Sequence, residues 1–462
     1  LLRAQATLPS LGDRISGTVS LEQEYEIGQQ FLSSIRRNAP TVPDPLLNTY
    51  LENLTYRLAS RSQLQDHRLS FVIIDSEALN AFAAPGGIIG VNTGLFLNAQ
   101  NEAEFASVMA HEIAHVSQRH FARGIDEAQN SRIPQLATLL ASVIVMATSN
   151  TDHGSAAVLA AQGRALENKL RFSRSNETEA DRVGQDTMFA AGFDPNGMST
   201  LFERLMAINR FGRSPPEFLL SHPLTESRVA GARSRTVRYS KQQYNPSLEY
   251  QVMRARVVGH YAINKADLVT NYERLLEESS SDFSRDANRY GLATAYWENK
   301  EYAKANATLA PLLKKDPNRI SYVVTQAEIL TAQGEAAHTI NYLQHHLAIN
   351  PGNHALTMAY VDALIKARSY ATAAKVMEGH SLSRPDDFQL WYKLAETQGQ
   401  AGNISKVHHA RAEYFRLIAD YKRARRQLQL ALKIESEGGV TPAEEAKLRQ
   451  KIQEIEELQQ NA

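Results

Sequence analysis

The sequence predicts two domains of different fold class: an α+β domain, mostly helical with a small sheet, followed by an all-α solenoid of helical repeats. Helical and extended segments alternate up to about residue 245, whereas only helical periodicity is found from residue 250 onward. Three prolines at a constant spacing mark the second part as a repeat. A chain of 462 residues also exceeds the usual size of one hydrophobic core. We therefore expect an N-terminal extension at 1–19, the α+β domain at 20–245 and the repeats at 250–462.

The α+β domain is expected to begin with two helices. Ser20 and Gln23 have the spacing of a capping box, and the apolar residues that follow recur at helical spacing as far as Arg37. A second helix is expected from Pro45 to about Ser60. Both helices precede the residues that carry the chemistry.

Two extended segments follow these helices. Residues 69–74 are rich in β-branched and aromatic side chains, which predicts a strand. Residues 81–91 form a second extended run, with Pro85, Gly86 and Gly87 at its centre. Because proline cannot donate a backbone hydrogen bond to a neighbouring strand, this run is expected at the edge of the sheet.

A third helix, opened by Asn101 and Glu104, carries His111, Glu112 and His115 in the pattern His-Glu-x-x-His. Positions i and i+4 of an α-helix lie on the same face, so the two imidazoles can bind one metal ion. The glutamate after the first histidine then lies beside the water on that metal. The pattern therefore predicts a zinc metallopeptidase site.

A catalytic zinc ion needs three protein ligands and one open position. The metzincin solution, a histidine six residues after the second motif histidine, is excluded because that position is Phe121. His120 misses the position by one residue, and as an exposed helix-end residue it is expected to be structural or solvent-facing. A further helix, expected at 178–191, is preceded by Glu177 and includes Asp181 on the same face. This acidic segment offers a carboxylate ligand.

The composition narrows the classes of function. The chain has 50 Lys+Arg and 50 Asp+Glu, so its net charge gives no general attraction to nucleic acid, and we expect no nucleic-acid partner. It has no cysteine, which excludes disulfide bonds and thiol catalysis and leaves the compartment undecided. The opening residues 1–6 (LLRAQA) resemble the end of a secretory signal peptide, which favours export.

The longest apolar stretch, at 136–147, is too short to span a bilayer. We therefore expect no transmembrane segment. An interfacial or lid position stays open for this stretch, so peripheral membrane contact is one expectation for it.

The repeat domain is predicted from its period. Pro317, Pro351 and Pro385 each follow an apolar helical stretch and lie 34 residues apart, the period of the tetratricopeptide repeat. Large and small apolar residues before the first of these prolines fit two packed helices: Leu292, Ala293, Tyr296, Ala305, Leu309 and Leu312. We count about four repeats, with a polar terminal helix from Pro442 as a cap. An irregular helical bundle is the alternative.

Three motifs in this order resemble the gluzincin peptidases related to HtpX and the CAAX prenyl proteases. They are residues 80–87 (NAFAAPGG), the His-Glu-x-x-His pattern, and residues 173–181 (SRSNETEAD). The match covers most of residues 20–235. The resemblance implies a gluzincin-type zinc metallopeptidase domain that holds one Zn²⁺ per chain.

The resemblance also implies a role for single residues. Carried over by position, His111, His115 and Glu177 would hold zinc, and Glu112 would be the general base. Glu179 is the rival ligand, although a solvated face is its expected environment.

Three further residues are expected close to the metal. Asp181 would accept a hydrogen bond from a ligand histidine and so fix the tautomer of that histidine. The family's His-Pro followed by Arg is matched by His222, Pro223 and Arg228, and either charged side chain could stabilise an oxyanion near zinc. Alternatively, His222 could fill the open zinc position and keep the enzyme latent, or the segment could be a simple turn.

Substrate is expected to add its backbone to the edge strand. The predicted substrate-binding residues are Phe82, Gly86, Gly87, Ile88 and Ile89. This mode of binding favours extended chains with little sequence preference, and it suits unfolded polypeptides.

Within this family, a soluble peptidase followed by tetratricopeptide repeats resembles bacterial members that act in outer-membrane assembly. The resemblance implies a periplasmic location, and misfolded or stalled outer-membrane proteins as substrates. The repeats would recruit substrate or the β-barrel assembly machinery. The alternative is a chaperone or scaffold for outer-membrane protein assembly whose peptidase site is latent.

Overall fold

The structure, a computed structural model, describes residues 19–128, 174–211, 216–240, 242–439 and 441–461. The predicted N-terminal extension therefore lies almost wholly outside the described residues, as does the apolar stretch at 136–147. Within the described residues, no helix combines the length and the apolar character needed to cross a bilayer.

The chain forms two compact units. The first takes the residues up to Ala39 together with Leu54–Leu95 and Ala103–Tyr244, and the second takes Pro40–Asn53, Phe96–Glu102 and the residues from Asn245 onward. Two short segments that precede the predicted site in sequence thus group with the repeats.

Helix α1 (Leu21–Asn38) begins at the predicted capping box. The Ser20 side chain accepts a hydrogen bond from the Gln23 amide, and the Gln23 side chain accepts one from the Ser20 amide. The buried face of α1 packs on the sheet through Phe31 and neighbouring apolar residues. Helix α2 (Pro45–Ala59) has the predicted bounds within one residue.

The sheet has three strands in the described residues: β1 (Ser70–Ile74), β2 (Ala81–Ala84) and β3 (Ile88–Asn92). The strand order is β1-β3-β2, with β1 parallel and β2 antiparallel to β3. The turn between β2 and β3 uses positive φ angles of 70° at Gly86 and 75° at Gly87, which favour glycine.

The prediction of a single edge strand at 81–91 is therefore wrong, because the two glycines reverse the chain inside that segment. Only β2 lies at an edge. Ile88 and Ile89 lie on the central strand and are fully buried, so they are unavailable to a substrate. The Phe82 side chain also belongs to the core, since its ring lies over Gly90 so closely that a Cβ there would be 1.9 Å from it.

Seven helices follow the sheet in the described residues before residue 245. They are α3 (Thr93–Asn98), α4 (Glu102–Ser117), α5 (His120–Ala128), α6 (Arg174–Ala190), α7 (Asn196–Phe211), α8 (Phe218–Ser221) and α9 (Glu226–Thr236). Helix α6 begins four residues before its predicted start, so Glu177 lies on the helix itself. Arg119, with a φ of 51°, separates α4 from α5.

The second unit contains consecutive helix pairs. They are α10 (Leu248–Tyr261) with α11 (Lys265–Glu277), α12 (Asp282–Glu298) with α13 (Tyr302–Lys315), α14 (Ile320–Gln333) with α15 (Ala336–Ile349), α16 (His354–Lys366) with α17 (Tyr370–Ser381), α18 (Phe388–Gln400) with α19 (Ile404–Leu417), and α20 (Tyr421–Gly438) with α21 (Pro442–Asn461). From α11 onward each helix contacts the next helix in the chain, as a repeat solenoid requires, and α10 contacts α12.

The 34-residue period is also present in the backbone. Lys300, Gly334, Arg368 and Gly402 all have positive φ angles, and each lies in the turn between the two helices of a pair. Four helix pairs have this turn, which agrees with the predicted count of about four repeats; the described residues also contain the pair α10 and α11 before them, and α20 with the terminal helix α21 after them. The terminal helix α21 packs on α19 and α20 through Leu448 and Ile455.

Candidate metal centre

Three elements of the first unit bring four metal-binding side chains together. Helix α4 supplies His111 and His115, helix α6 supplies Glu177, and the residue that ends α8 is His222. One ligand atom from each of these side chains lies within 4.8 Å of the others, and all four side chains are buried. No other group of three or more such side chains meets this condition in the described part of the chain.

The distances show that these ligand atoms face one another. The Nε2 atoms of His111 and His115 are 3.0 Å apart, and His222 Nδ1 is 3.3 Å from His111 Nε2. Glu177 Oε1 lies 3.3 Å from His115 Nε2 and 3.1 Å from His222 Nδ1. Imidazole nitrogens that converge in this way can share a cation, and three nitrogens with one carboxylate are donors that Zn²⁺ prefers. The residues therefore fit the metal that the sequence implies.

The two motif histidines differ in the direction of their pKa shift. Burial lowers the pKa of His111, but hydrogen bonds with Asp181 and Glu177 outweigh burial and raise the pKa to about 9. For His115 the effect of burial is larger than that of the hydrogen bond with Glu177, and its pKa lies well below the ordinary value. Burial raises the pKa of Glu177, yet the charge of His222 and hydrogen bonds from the histidines bring it well below the usual range.

Glu112 lies beside this cluster, with Oε1 3.4 Å from His222 Nε2. Burial raises the pKa of the Glu112 carboxyl, and the backbone amide of Ala83 donates a hydrogen bond to it. Since Ala83 belongs to edge strand β2, this contact joins the predicted general base to the strand where a substrate could bind.

Asp181 and Arg228 lie behind the cluster. His111 Nδ1 is 3.0 Å from Asp181 Oδ1, which is the arrangement expected for a carboxylate that orients a ligand histidine. Arg228 donates from Nε and Nη2 to Asp181 at 2.7 Å, and its Nη1 lies 2.7 Å from Glu177 Oε2 and donates to the Pro223 carbonyl. The guanidinium thus faces the carboxylates and the backbone. The structure gives no support to the idea that it stabilises an oxyanion.

Sequence reasoning missed the part played by His120. It was expected at an exposed helix end, but it is buried, and its Nδ1 lies 2.9 Å from His115 Nδ1. The error comes from Arg119, whose left-handed backbone breaks the helix and turns His120 back toward His115. Glu179, the rival ligand, contacts His120 Nε2 at 3.1 Å and is not among the four converging side chains.

A pocket that is partly open to solvent adjoins the edge strand and the cluster. Its lining includes Ala83, Gly86, Gly87 and His115. Of the five predicted substrate-binding residues, the two glycines thus line an opening next to a candidate ligand. Phe82 contributes only the backbone of β2.

The domain thus combines an α+β fold with a buried His-Glu-x-x-His helix and a glutamate from a second helix. This combination identifies a metallopeptidase. Residues 45–236 match Peptidase family M48, and residues 330–397 match the tetratricopeptide repeat. These matches confirm the predicted fold class and the predicted class of enzyme.

Relatives that match along most of this chain show which members of the family it resembles. The chain is 33% identical over 417 residues to a putative beta-barrel assembly-enhancing protease of Vibrio cholerae, covering 90% of this chain and 86% of that protein. It is 31% identical over 458 residues to the beta-barrel assembly-enhancing protease of Escherichia coli, covering 98% and 92%. A mitochondrial metalloendopeptidase of Arabidopsis thaliana is 32% identical over 170 residues, covering 37% of this chain and 32% of that protein. The chain therefore belongs to the M48 metallopeptidase family of the β-barrel assembly-enhancing proteases, with tetratricopeptide repeats after the peptidase domain.

Proposed function

We propose that this protein is a zinc-dependent endopeptidase that acts in the periplasm on misfolded or stalled outer-membrane proteins. The observation that carries the proposal is the convergence of His111, His115, Glu177 and His222 beside Glu112. The names of the two long relatives support the link to β-barrel assembly.

His111, His115 and Glu177 would hold one Zn²⁺ per chain, with Asp181 and Arg228 fixing the ligands from behind. When bound, zinc would polarise the scissile carbonyl and make a water molecule more acidic. Glu112 would take a proton from that water on a carboxylate oxygen and deliver it to the leaving amine. Its hydrogen bond from the Ala83 amide keeps this carboxylate next to the edge strand.

Substrate would add to β2 as an extended strand. The edge of β2 opposite β3 pairs with no other strand in the described sheet, and the pocket next to His115 offers room for a side chain of the bound peptide. Backbone pairing makes few demands on sequence. Unfolded polypeptides are therefore the expected substrates.

The repeats are proposed to recruit substrate or the β-barrel assembly machinery, since stacked helix pairs offer an extended binding surface. The periplasmic location rests on the likeness to the two β-barrel assembly-enhancing proteases. A fraction of protein that stays in the cytoplasm after osmotic release of the periplasm would contradict this location.

The substitution Glu112→Gln tests the proposed activity, because it removes the proton acceptor and keeps the shape of the side chain. We expect cleavage of an unfolded outer-membrane β-barrel protein to fall by at least about 100-fold, while bound zinc stays at the wild-type level. Glu203→Gln, on the exposed side of α7, is the matched control and should cleave like wild type. Full cleavage by the Glu112 variant, or no zinc in freshly purified wild type, would overturn the proposal.

A second candidate function is a chaperone or scaffold whose peptidase site is latent. The specific observation in its favour is the position of His222, which offers a fourth ligand atom where a catalytic zinc ion needs an open position. His222 is held there by its amide, which donates to the Phe218 carbonyl at 3.0 Å, and by stacking on the Phe218 ring.

The substitution His222→Ala separates the two candidates. If His222 keeps the site closed, the variant should cleave faster than wild type, and His222→Ala combined with Glu112→Gln should not cleave. Unchanged proteolysis with an unaltered zinc content would remove the latency hypothesis. If the Glu112 variant alone still promotes outer-membrane protein assembly fully, the scaffold function is favoured.

A further inference from the structure

We propose that His120 and Glu179 are positioning residues that hold His115 in the orientation and tautomer needed to bind the metal. The inference rests on the proposed function, because it assigns His115 to the metal. Neither residue is among the four converging side chains, and both lie on the far side of His115 from that cluster.

The backbone brings His120 to this place. In a continuous α-helix, residues five positions apart lie about 140° apart around the axis, so their side chains point in different directions. Arg119 interrupts the helix with a φ of 51°, and its buried side chain is fixed by Glu24 at 3.0 Å. A positive φ is uncommon outside glycine, so this break is maintained by the surrounding structure. The break places the His120 ring against that of His115.

The hydrogen bonds leave one consistent assignment of protons. If His115 offers the lone pair of Nε2 to a metal, its Nδ1 carries the hydrogen and donates to His120 Nδ1 at 2.9 Å. His120 then carries its own hydrogen on Nε2, which lies 3.1 Å from Glu179 Oε2. Glu179 is a carboxylate, which accepts. The chain of donors therefore runs from His115 to His120 and ends on Glu179.

The far end of this chain is also fixed. Arg123 on α5 donates to Glu179 Oε2 at 2.6 Å and to Asn176 Oδ1 at 3.1 Å. Asn176 and Glu179 flank Glu177 on helix α6. The same contacts that orient His115 therefore hold the first turns of the helix that supplies the carboxylate ligand.

Helix α6 thus supplies a different orienting carboxylate for each motif histidine. Asp181 contacts His111 directly, whereas Glu179 reaches His115 through the ring of His120. Partners behind a metal ligand typically contribute 10-fold to 100-fold in metal affinity. We expect the His120 contact to have an effect in this range.

A pair of variants of nearly equal shape tests the hydrogen bond. His120→Leu removes the acceptor, whereas His120→Asn keeps an oxygen near the position of Nδ1. Zinc affinity is measured on the full chain by competition with a chelator. We expect the leucine variant to bind zinc about 10-fold to 100-fold more weakly. The asparagine variant keeps the acceptor but lacks the contact with Glu179, so its affinity should lie between that of the leucine variant and that of wild type. Glu179→Gln keeps His120 as the acceptor and should also lie in this range.

Several outcomes would overturn the inference. If the leucine and asparagine variants bind zinc equally, whether as tightly as wild type or equally weakly, the hydrogen bond has no role, although the proposed peptidase still stands when wild type holds zinc. A wild-type protein without zinc would overturn both proposals. As an independent test, nitrogen-15 spectra of the zinc-loaded protein should show His120 protonated on Nε2. Protonation on Nδ1 alone would contradict the hydrogen bonds proposed from His115 to His120 and from His120 to Glu179.

Discussion

Each of the two units buries a group of histidines, but the groups are built differently. In the first unit, nitrogens of three imidazoles and one carboxylate oxygen face one another within 4.8 Å. In the second unit, His354 and His380 stack with their rings 11° from parallel, and His354 Nδ1 lies 3.0 Å from His380 Nε2. Both groups are buried, so burial alone does not distinguish them.

The two groups differ in how many polar atoms face each ring nitrogen. A single hydrogen bond satisfies the two facing nitrogens of His354 and His380. The other ring nitrogen of His354 points to Asp387, 3.7 Å away. The first group instead directs four ligand atoms at one another, and a hydrogen bond between two of them leaves the others unsatisfied. Convergence of several ligand atoms, rather than a buried histidine, is therefore the sign of a metal site.

The largest expected effect follows directly from this comparison. His111→Gln should reduce bound zinc from about one ion per chain to none, because a catalytic site has only three protein ligands besides water. His354→Gln is the matched substitution in the other group and should leave the zinc content unchanged. Metal analysis of purified protein after dialysis gives both values. Loss of zinc in the His354 variant would contradict the distinction between the two groups.

A second effect concerns the charge that supports the first group. Arg228→Leu would remove the buried guanidinium that pairs with Asp181 and Glu177, and the loss of such a partner typically costs about 3 to 5 kcal/mol in the free energy of unfolding. Arg233→Leu, on the same helix, removes an exposed pair with Glu203 and should cost less than about 1 kcal/mol. Urea unfolding in the presence of a chelator measures both without a contribution from metal. Similar losses in the two variants would show that the buried pair is not essential for stability.

The parts of the site that could be predicted depend on spacing within one helix. His111 with His115, and Glu177 with Asp181, are each four residues apart, so a regular helix places each pair on one face. The capping box of α1 is equally local, and the 34-residue period of the repeats reflects one structural unit repeated along the chain.

What could not be predicted depends on breaks in regular structure. Gly86 and Gly87 turn one apparent strand into two, which moved Ile88 and Ile89 from the edge to the centre of the sheet. Arg119 adopts a backbone that its residue type does not suggest, so the position of His120 was predicted wrongly.

The smallest expected effect is on the pH dependence of stability, and it concerns the buried His354 and His380. Burial, together with the charge of Arg384, lowers the pKa of His354 to about 4, and burial also lowers the pKa of His380. The unfolded chain binds a proton on a histidine near pH 6.5, whereas folded His354 stays neutral down to about pH 4. The stability that neutral His354 contributes is therefore fully present above pH 6.5 and is lost as the pH falls toward 4. Between pH 7.5 and 5, His354 alone should contribute a loss of about 2 kcal/mol.

Both tryptophans of the chain, Trp297 and Trp391, lie in the second unit, so their fluorescence during urea unfolding follows that unit. The groups that surround His354 are His380, Arg384, Asp387 and Lys393. His354→Gln keeps all of these and removes the titration, so the loss between pH 7.5 and 5 should shrink by about 2 kcal/mol. His338→Gln, exposed at the start of α15, should keep the wild-type pH dependence. The prediction is contradicted if the His354 variant loses as much stability between pH 7.5 and 5 as wild type does. Protonation of the buried His354 would then cost no stability, and hydrogen bonding would not distinguish the two histidine groups.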